Sequence, residues 1–302
     1  MADLSRTSTH RGSVLAVVAA AVLFGTTGTA QALASESLGY DLDPLAVGSA
    51  RVVLAGLILA VFAYARGGLG FTRSTSQSAL TGGFGVAAYQ LGFFTGVQAA
   101  GVAAGTMIAL GSGPAFTGVL QYLVDRRMPG PLWFLSTLVA VAGMTLIVAG
   151  QPGDGSANVL AGAVPALIAG LGYAIYTVAG AHMITAGVST QGAMGQMFGI
   201  GGILLLPILI WQWPGGLDTG AGTTAVVYLV VVPTVLAYLL FAAALRHLNP
   251  ATVATLTLLE PVVAAILGAV VLGETITTVA MLGMATVVAA LGLLTAGTLR
   301  NS

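Results

Sequence analysis

Residues 255–274 read TLTLLEPVVAAILGAVVLGE, an apolar run whose one charged residue before its final position is Glu260, followed at once by Pro261. As a helix rising 1.5 Å per residue, the run beginning at Pro250, after Asn249, places Glu260 about 15 Å from its first residue and about 21 Å from Glu274. That length suffices to cross a hydrocarbon layer of ~30 Å, so Glu260 falls near its middle. A carboxylate at that depth is costly when it faces lipid, and it is expected to face the protein interior or a wet cavity.

The same reading extended along the chain finds ten apolar runs, roughly 13–33, 44–65, 78–99, 102–123, 131–150, 158–180, 190–212, 220–245, 250–272 and 276–297. Helices are the expected form, because a backbone in lipid must satisfy its own polar groups and the runs lack the alternation of a barrel strand. Composition agrees: 57% of residues are hydrophobic and 6% charged, against roughly 25% charged in a soluble domain. A net charge of zero provides no basic surface for nucleic acid. The absence of cysteine excludes disulfides, thiolate metal sites and cysteine catalysis. His10, His182 and His247 fall in or near polar connections, so no metal and no cofactor is expected.

Charge placement sets the topology. Arg6, Arg11, Arg66, Arg73, Arg126, Arg127, Arg246 and Arg300 all lie on one side of a ten-span chain, and Glu36, Asp41, Asp43, Asp154, Asp218 and Glu274 lie on the other. By the positive-inside rule both termini are expected in the cytoplasm. A competing reading of the N-terminus takes Arg11, the apolar stretch and Ala32-Leu33-Ala34 as a cleavable signal peptide; cleavage would leave nine spans and break the symmetry described next.

At a constant offset of 147 residues, spans three to five align with spans eight to ten without a gap: Phe94 falls on Phe241, Ala104 on Ala251, Pro114 on Pro261, and Ala149-Gly150 on Ala296-Gly297. An offset of 146 places Gly56 on Gly202. The chain thus divides into a first five-helix repeat at 13–150, a linker at 151–157 and a second repeat at 158–297, with terminal segments at 1–12 and 298–302. Because five is odd, the second repeat enters the membrane from the opposite face. Arg127 aligns with Glu274, opposite signs at equivalent positions. Inverted repeats are the usual construction of secondary transporters, with the substrate site near the midplane.

Ten spans in two inverted halves, Gly113-Pro114 in span four, Glu260-Pro261-Val262 in span nine and Gly273-Glu274 at the following turn resemble the drug/metabolite transporter superfamily, and within it the EamA branch with its YddG-like amino-acid exporters. The resemblance covers nearly the whole chain. It implies an all-α integral membrane fold of ten helices around a central cavity, in a bacterial inner membrane, and export of amino acids or related small metabolites. The first half departs from the pattern, carrying Gly113 and Arg127 where the second has Glu260 and Glu274. Drug, nucleoside and sugar-derivative carriers share such an architecture, because fold does not determine cargo.

Candidate site residues follow from the cost of burying polar groups in lipid. Pro261 lacks an N–H, so the carbonyl of Thr257 is expected to lose its helical partner and to join Glu260 in a polar spot for an ammonium group or a proton; a protonated Glu260 tying helices together is the alternative. Pro114 would free the carbonyl of Leu110 in the same way, making Gly113, Pro114 and Pro261 hinge candidates. Arg51, the sole arginine inside a span, either holds a substrate carboxylate or reaches outward to Asp41 or Asp43. Tyr89, Gln90, Tyr173, Tyr176, Gln196 and Tyr238 are further polar residues inside spans. Gly92 with Gly96 and Gly195 with Gly199 suit close helix contact. An intramembrane enzyme built on Gly111-Ser112-Gly113 lacks a mid-span histidine to serve as base. The partners expected are a small-molecule substrate and the lipid bilayer.

Overall fold

The computed structural model describes residues 2–68, 73–150, 158–213 and 219–300, the side chains of residues 2–8 and 73–74 excepted. The side chains of Arg6 and Arg73, Asp218 and the 151–157 linker with Asp154 fall outside that description.

Among the described residues ten helices follow one another: α1 (Ala2–Leu38), α2 (Pro44–Ala65), α3 (Arg73–Ala100), α4 (Val102–Asp125), α5 (Pro131–Ala149), α6 (Val159–Thr185), α7 (Thr190–Trp211), α8 (Gly220–Leu245), α9 (Pro250–Leu272) and α10 (Thr278–Arg300). Their starts are written in the sequence: Asp43, Asn158, Ser189, Thr219 and Asn249 each accept a backbone N–H from the turn they precede, and Pro44, Pro131 and Pro250 occupy first-turn positions where a missing N–H costs nothing. Among the described residues, nine of the ten helices are long and apolar enough to cross a membrane. The tenth, α3, has ample length at 28 residues but carries Tyr89 and Gln90, which face the interior, and the exposed Thr81 and Thr95, whose hydroxyls donate to carbonyls of their own helix. Helix α1 extends well beyond the expected run and packs along α8 and α9.

The packing is two-fold symmetric. Helix α2 packs on α7 and α5 on α10, each on its own counterpart, while α6 lies against α3 and α4 as α1 lies against α8 and α9. Register gives direction. Gly56 abuts Phe198 and Gly199, Gly202 abuts Val52 and Val53, and Gly195 abuts Leu59. Partner numbers fall on α7 as they rise on α2, so the two counterparts are antiparallel. Gly143 meets Gly283 and Val287, and Gly150 meets Thr277 and Ala280, so α5 and α10 are antiparallel as well. Equivalent helices pointing opposite ways are what an inverted repeat requires.

Glycine makes these crossings close. A Cβ on Gly195 would lie 2.7 Å from the Leu59 carbonyl oxygen, and one on Gly143 would lie 2.8 Å from that of Gly283. Gly92 and Gly96 press in the same way on Pro165, Ala166 and Ala169 of α6, whereas Gly199 leaves 3.6 Å to its nearest neighbour. Without a hydrophobic force between helices in lipid, such backbone proximity carries much of the association. Gly195→Val is therefore expected to destabilise the bundle by about 1–3 kcal/mol, and Gly28→Val, with nothing within 4 Å, to leave it unchanged; thermal unfolding of the two variants in detergent checks the contrast.

Candidate functional site

Two departures from regular helix shape the centre. Helix α9 tightens into a 3-10 turn at Thr257–Leu259 just before Glu260. The Glu260 N–H donates to the Thr257 carbonyl, so that carbonyl is not left free as Pro261 led one to expect; the tighter turn supplies a donor one residue earlier than the proline would have. Helix α8 widens into a π segment at Val231–Leu236 containing Pro233, and the Thr234 hydroxyl donates to the Leu229 carbonyl at 2.7 Å. Such π segments recur at functional sites. Helix α4, by contrast, runs through Pro114 as one α-helix.

Around Glu260 stands an aromatic cluster drawn from five helices. Tyr173 and Tyr176 of α6 lie 5.2 Å apart between ring centres; Tyr89 of α3 sits 6.0 Å from Tyr176; Tyr238 of α8 sits 5.9 Å from Tyr176. Phe198 of α7 is 4.2 Å from Tyr238 and Phe24 of α1 is 5.0 Å from it. The buried hydroxyls find partners, Tyr173 with Thr257 at 2.8 Å and Tyr176 with Tyr238 at 3.2 Å. The first of these bonds ties α6 to the 3-10 turn beneath Glu260.

The two charges inside the bundle have different settings. The Arg51 Nη2 donates to Gln90 Oε1 at 3.4 Å, and the Gln90 amide nitrogen rests on Gly48, where any side chain would displace it. Arg51 forms no ion pair with Asp41 or Asp43; the Asp43 carboxylate instead caps α2 by accepting from Leu45 N–H at 2.9 Å. Glu260 is partly exposed, and among the described residues its carboxylate has no hydrogen bond and no ion pair within 4 Å. Arg51 is near enough for its charge to act on Glu260, and Tyr89 and Tyr238 feel both charges. The bond to Gln90 turns Arg51 into the bundle rather than outward.

Glu260, Tyr89, Gln90, Tyr176, Tyr238 and Arg51 accordingly share one neighbourhood. Gln196 is buried with both amide atoms unpartnered among the described residues, and Gly113 touches the Tyr173 ring, to which a Cβ would come within 3.1 Å. Gly25 escaped sequence reasoning: a Cβ there would lie 2.9 Å from the Glu260 carbonyl oxygen, so α1 passes directly against the bend of α9. Its signal was faint, since no second glycine stands four residues away. Pro233 was a visible signal, overlooked because no proline occupies the equivalent Val86. Ser112 donates to the Ala109 carbonyl at 3.2 Å and packs against Gly170. Among the described residues no three metal-ligating side chains converge.

A lone carboxylate and a guanidinium, walled by aromatic rings at the junction of two inverted halves, are the interior of a membrane transporter. The sequence matches the EamA-like transporter family twice, at residues 11–149 and 160–296, and the chain belongs to that family. It is not an enzyme. Among similar proteins, an uncharacterized transporter of Bacillus subtilis, YwfM, is 34% identical over 281 residues, spanning 90% of this chain and 89% of that one. The threonine/homoserine exporter RhtA of Salmonella typhimurium is 31% identical over 271 residues, 84% of each chain. A solved crystal structure 18% identical aligns with a TM-score of 0.77 over 96% of this chain and 98% of its own, a likeness of fold.

Tyr173→Phe is expected to lower unfolding stability by about 1 kcal/mol through loss of the Thr257 bond. Tyr89→Phe, whose hydroxyl makes no bond among the described residues, should leave stability unaltered; chemical denaturation of both variants, followed by tryptophan fluorescence, reads the difference.

Proposed function

We propose that the protein exports small zwitterionic metabolites, amino acids foremost, from the cytoplasm across a bacterial inner membrane by alternating access. The observation that carries this reading is the pair of charges without a charged partner in contact among the described residues: there Glu260 makes no ion pair and Arg51 bonds a neutral amide. In a low-dielectric interior an uncompensated charge is costly, and a ligand bearing an ammonium at one end and a carboxylate at the other would neutralise both. Aromatic rings beside them suit an ammonium group through cation–π attraction. The name of the relative RhtA, a threonine/homoserine exporter, supports the same class. A nucleoside or neutral sugar would leave both charges uncompensated.

In this reading residues 13–150 and 158–297 form the two halves, both termini face the cytoplasm, and Glu260, Arg51, Gln90, Tyr89, Tyr176 and Tyr238 line the substrate site. Gly113, Pro114 and Pro261 lie where the halves flex, with the 3-10 turn at Thr257–Leu259 as the segment of α9 able to change pitch.

Vesicles holding the purified protein, tested with labelled amino acids, nucleosides and sugars, should show saturable flux of amino acids stimulated by amino acid on the opposite side. Glu260→Gln and Arg51→Gln should each lower that flux at least about tenfold, the loss of a charged hydrogen bond to substrate, while Asp43→Asn leaves it intact. Equal flux in Glu260→Gln and the unaltered protein across about pH 5 to 8 would make the carboxylate structural, and preferential nucleoside or sugar flux would replace the substrate class.

A further inference from the structure

The two-fold relation allows the ends of the bundle to be compared residue by residue, and they differ. At the end bearing Arg126, Arg127 and Arg246, the first half of α9 is wholly buried from Pro250 to Leu258 and packs against α4 and α5. Its symmetry counterpart at the other end, the first half of α4, buries only Gly105 and Ala109 before Gly111, and α4 makes no comparable packing with the second half of α9 or with α10. Beyond Glu260, α9 likewise buries only Val262 and Gly268. The bundle is sealed at the arginine end and loose at the acidic end.

The seal is held by polar side chains. The Trp133 Nε1 donates to the Ala251 carbonyl at 2.9 Å, the Ala251 N–H donates to Gln121 Oε1 at 3.0 Å, and the Thr137 and Thr255 hydroxyls bond at 2.9 Å. Gly118 makes room for the Trp133 ring, to which a Cβ would come within 2.5 Å. All three bonds fasten α9 to α4 or α5 below Glu260. At the 147-residue offset, Gln121 corresponds to Gly268, Trp133 to Ala280, Thr137 to Met284, Ala251 to Ala104 and Thr255 to Ile108. None of those counterpart side chains can form a hydrogen bond. The acidic end has side-chain and backbone ties of its own, Thr277 to the Gly150 carbonyl at 2.9 Å and Asn158 N–H to the Ala99 carbonyl at 3.0 Å. Those join α10 to α5 and α6 to α3, pairs that stay packed along their length, and leave α4 and the second half of α9 untied.

We infer that Gln121, Trp133, Thr137 and Thr255 form a one-sided latch that biases the resting protein toward the state closed at the arginine end and open at the acidic end. An inverted repeat with matched ends would populate both states alike. Here only the arginine end gains these side-chain hydrogen bonds on closing, each worth about 1 kcal/mol net against the water that enters when that end opens. The latch rests on the alternating-access reading above and adds a set of gate residues to it, remote from the charges that contact substrate.

Because the chain contains no cysteine, spin labels can be placed without background. One pair, Arg127→Cys with Arg246→Cys, reports the arginine end; another, Val102→Cys with Thr275→Cys, reports the acidic end. Pulsed electron resonance in bilayers without substrate reads the distances. Thr137→Val with Thr255→Val, and separately Gln121→Leu, should raise the ratio of arginine-open to arginine-closed protein about fivefold for each bond lost, with a matching shortening at the acidic end. Ile108→Thr with Met284→Thr, which builds the threonine pair at the counterpart position and removes no latch bond, should shift the ratio in the same direction. Unchanged distances in all three variants, each eluting as a single folded species, would overturn the latch. Distances that move at one end without a reciprocal change at the other would overturn alternating access and the latch with it. Intact reciprocity with no response to the variants would sink the latch alone.

Discussion

Everything in this molecule depends on the close approach of helices that are each other's counterparts. Helix α2 lies on α7 and α5 on α10, antiparallel, with Gly56, Gly195, Gly202, Gly143 and Gly283 removing the side chains that would hold them apart. In lipid these contacts have dispersion and backbone proximity to rely on, since apolar side chains gain nothing by leaving hydrocarbon for one another. Two such seams form the frame, and the remaining helices close around the space between them.

Within that frame the described polar side chains gather in one neighbourhood. The tyrosine hydroxyls that are deeply buried bond to Thr257 or to one another, so they rigidify the aromatic cluster. Glu260 and Arg51 differ: each is held in place by backbone geometry or a neutral partner, and neither is neutralised by a charge of the protein in direct contact. The 3-10 turn before Glu260 and the close passage of Gly25 fix the carboxylate on a bend rather than on a straight helix. Carrying a charge in that manner is costly for folding, and in the proposed function a zwitterionic substrate offsets that cost.

Much of this was legible in the sequence, for physical reasons. Hydrocarbon thickness sets span length, so α2, α8 and α9 begin and end where the apolar runs do. Arginine placement and the 147-residue offset revealed the inversion because equivalent positions keep glycine and proline where backbones meet. The site was legible only as residue types. That Arg51 turns to Gln90 rather than to Asp41 or Asp43 depends on side-chain direction and on the space at Gly48, which no periodicity encodes. The fate of the Thr257 carbonyl also escaped, because a proline signals a missing donor and not which neighbouring N–H will replace it. The hydrogen bonds of Gln121, Trp133 and Thr137 to α9 join residues more than a hundred positions apart and had no local mark.

The central claim is that the two halves lie in one bilayer with reversed polarity. Its most direct measurement is labelling of single cysteines by a membrane-impermeant maleimide in oriented vesicles, at Arg127→Cys in one variant and at the equivalent Glu274→Cys in another. Reversed halves require the two sites to react from opposite faces. Reaction of both from the same face would contradict the inverted architecture and every functional conclusion drawn from it.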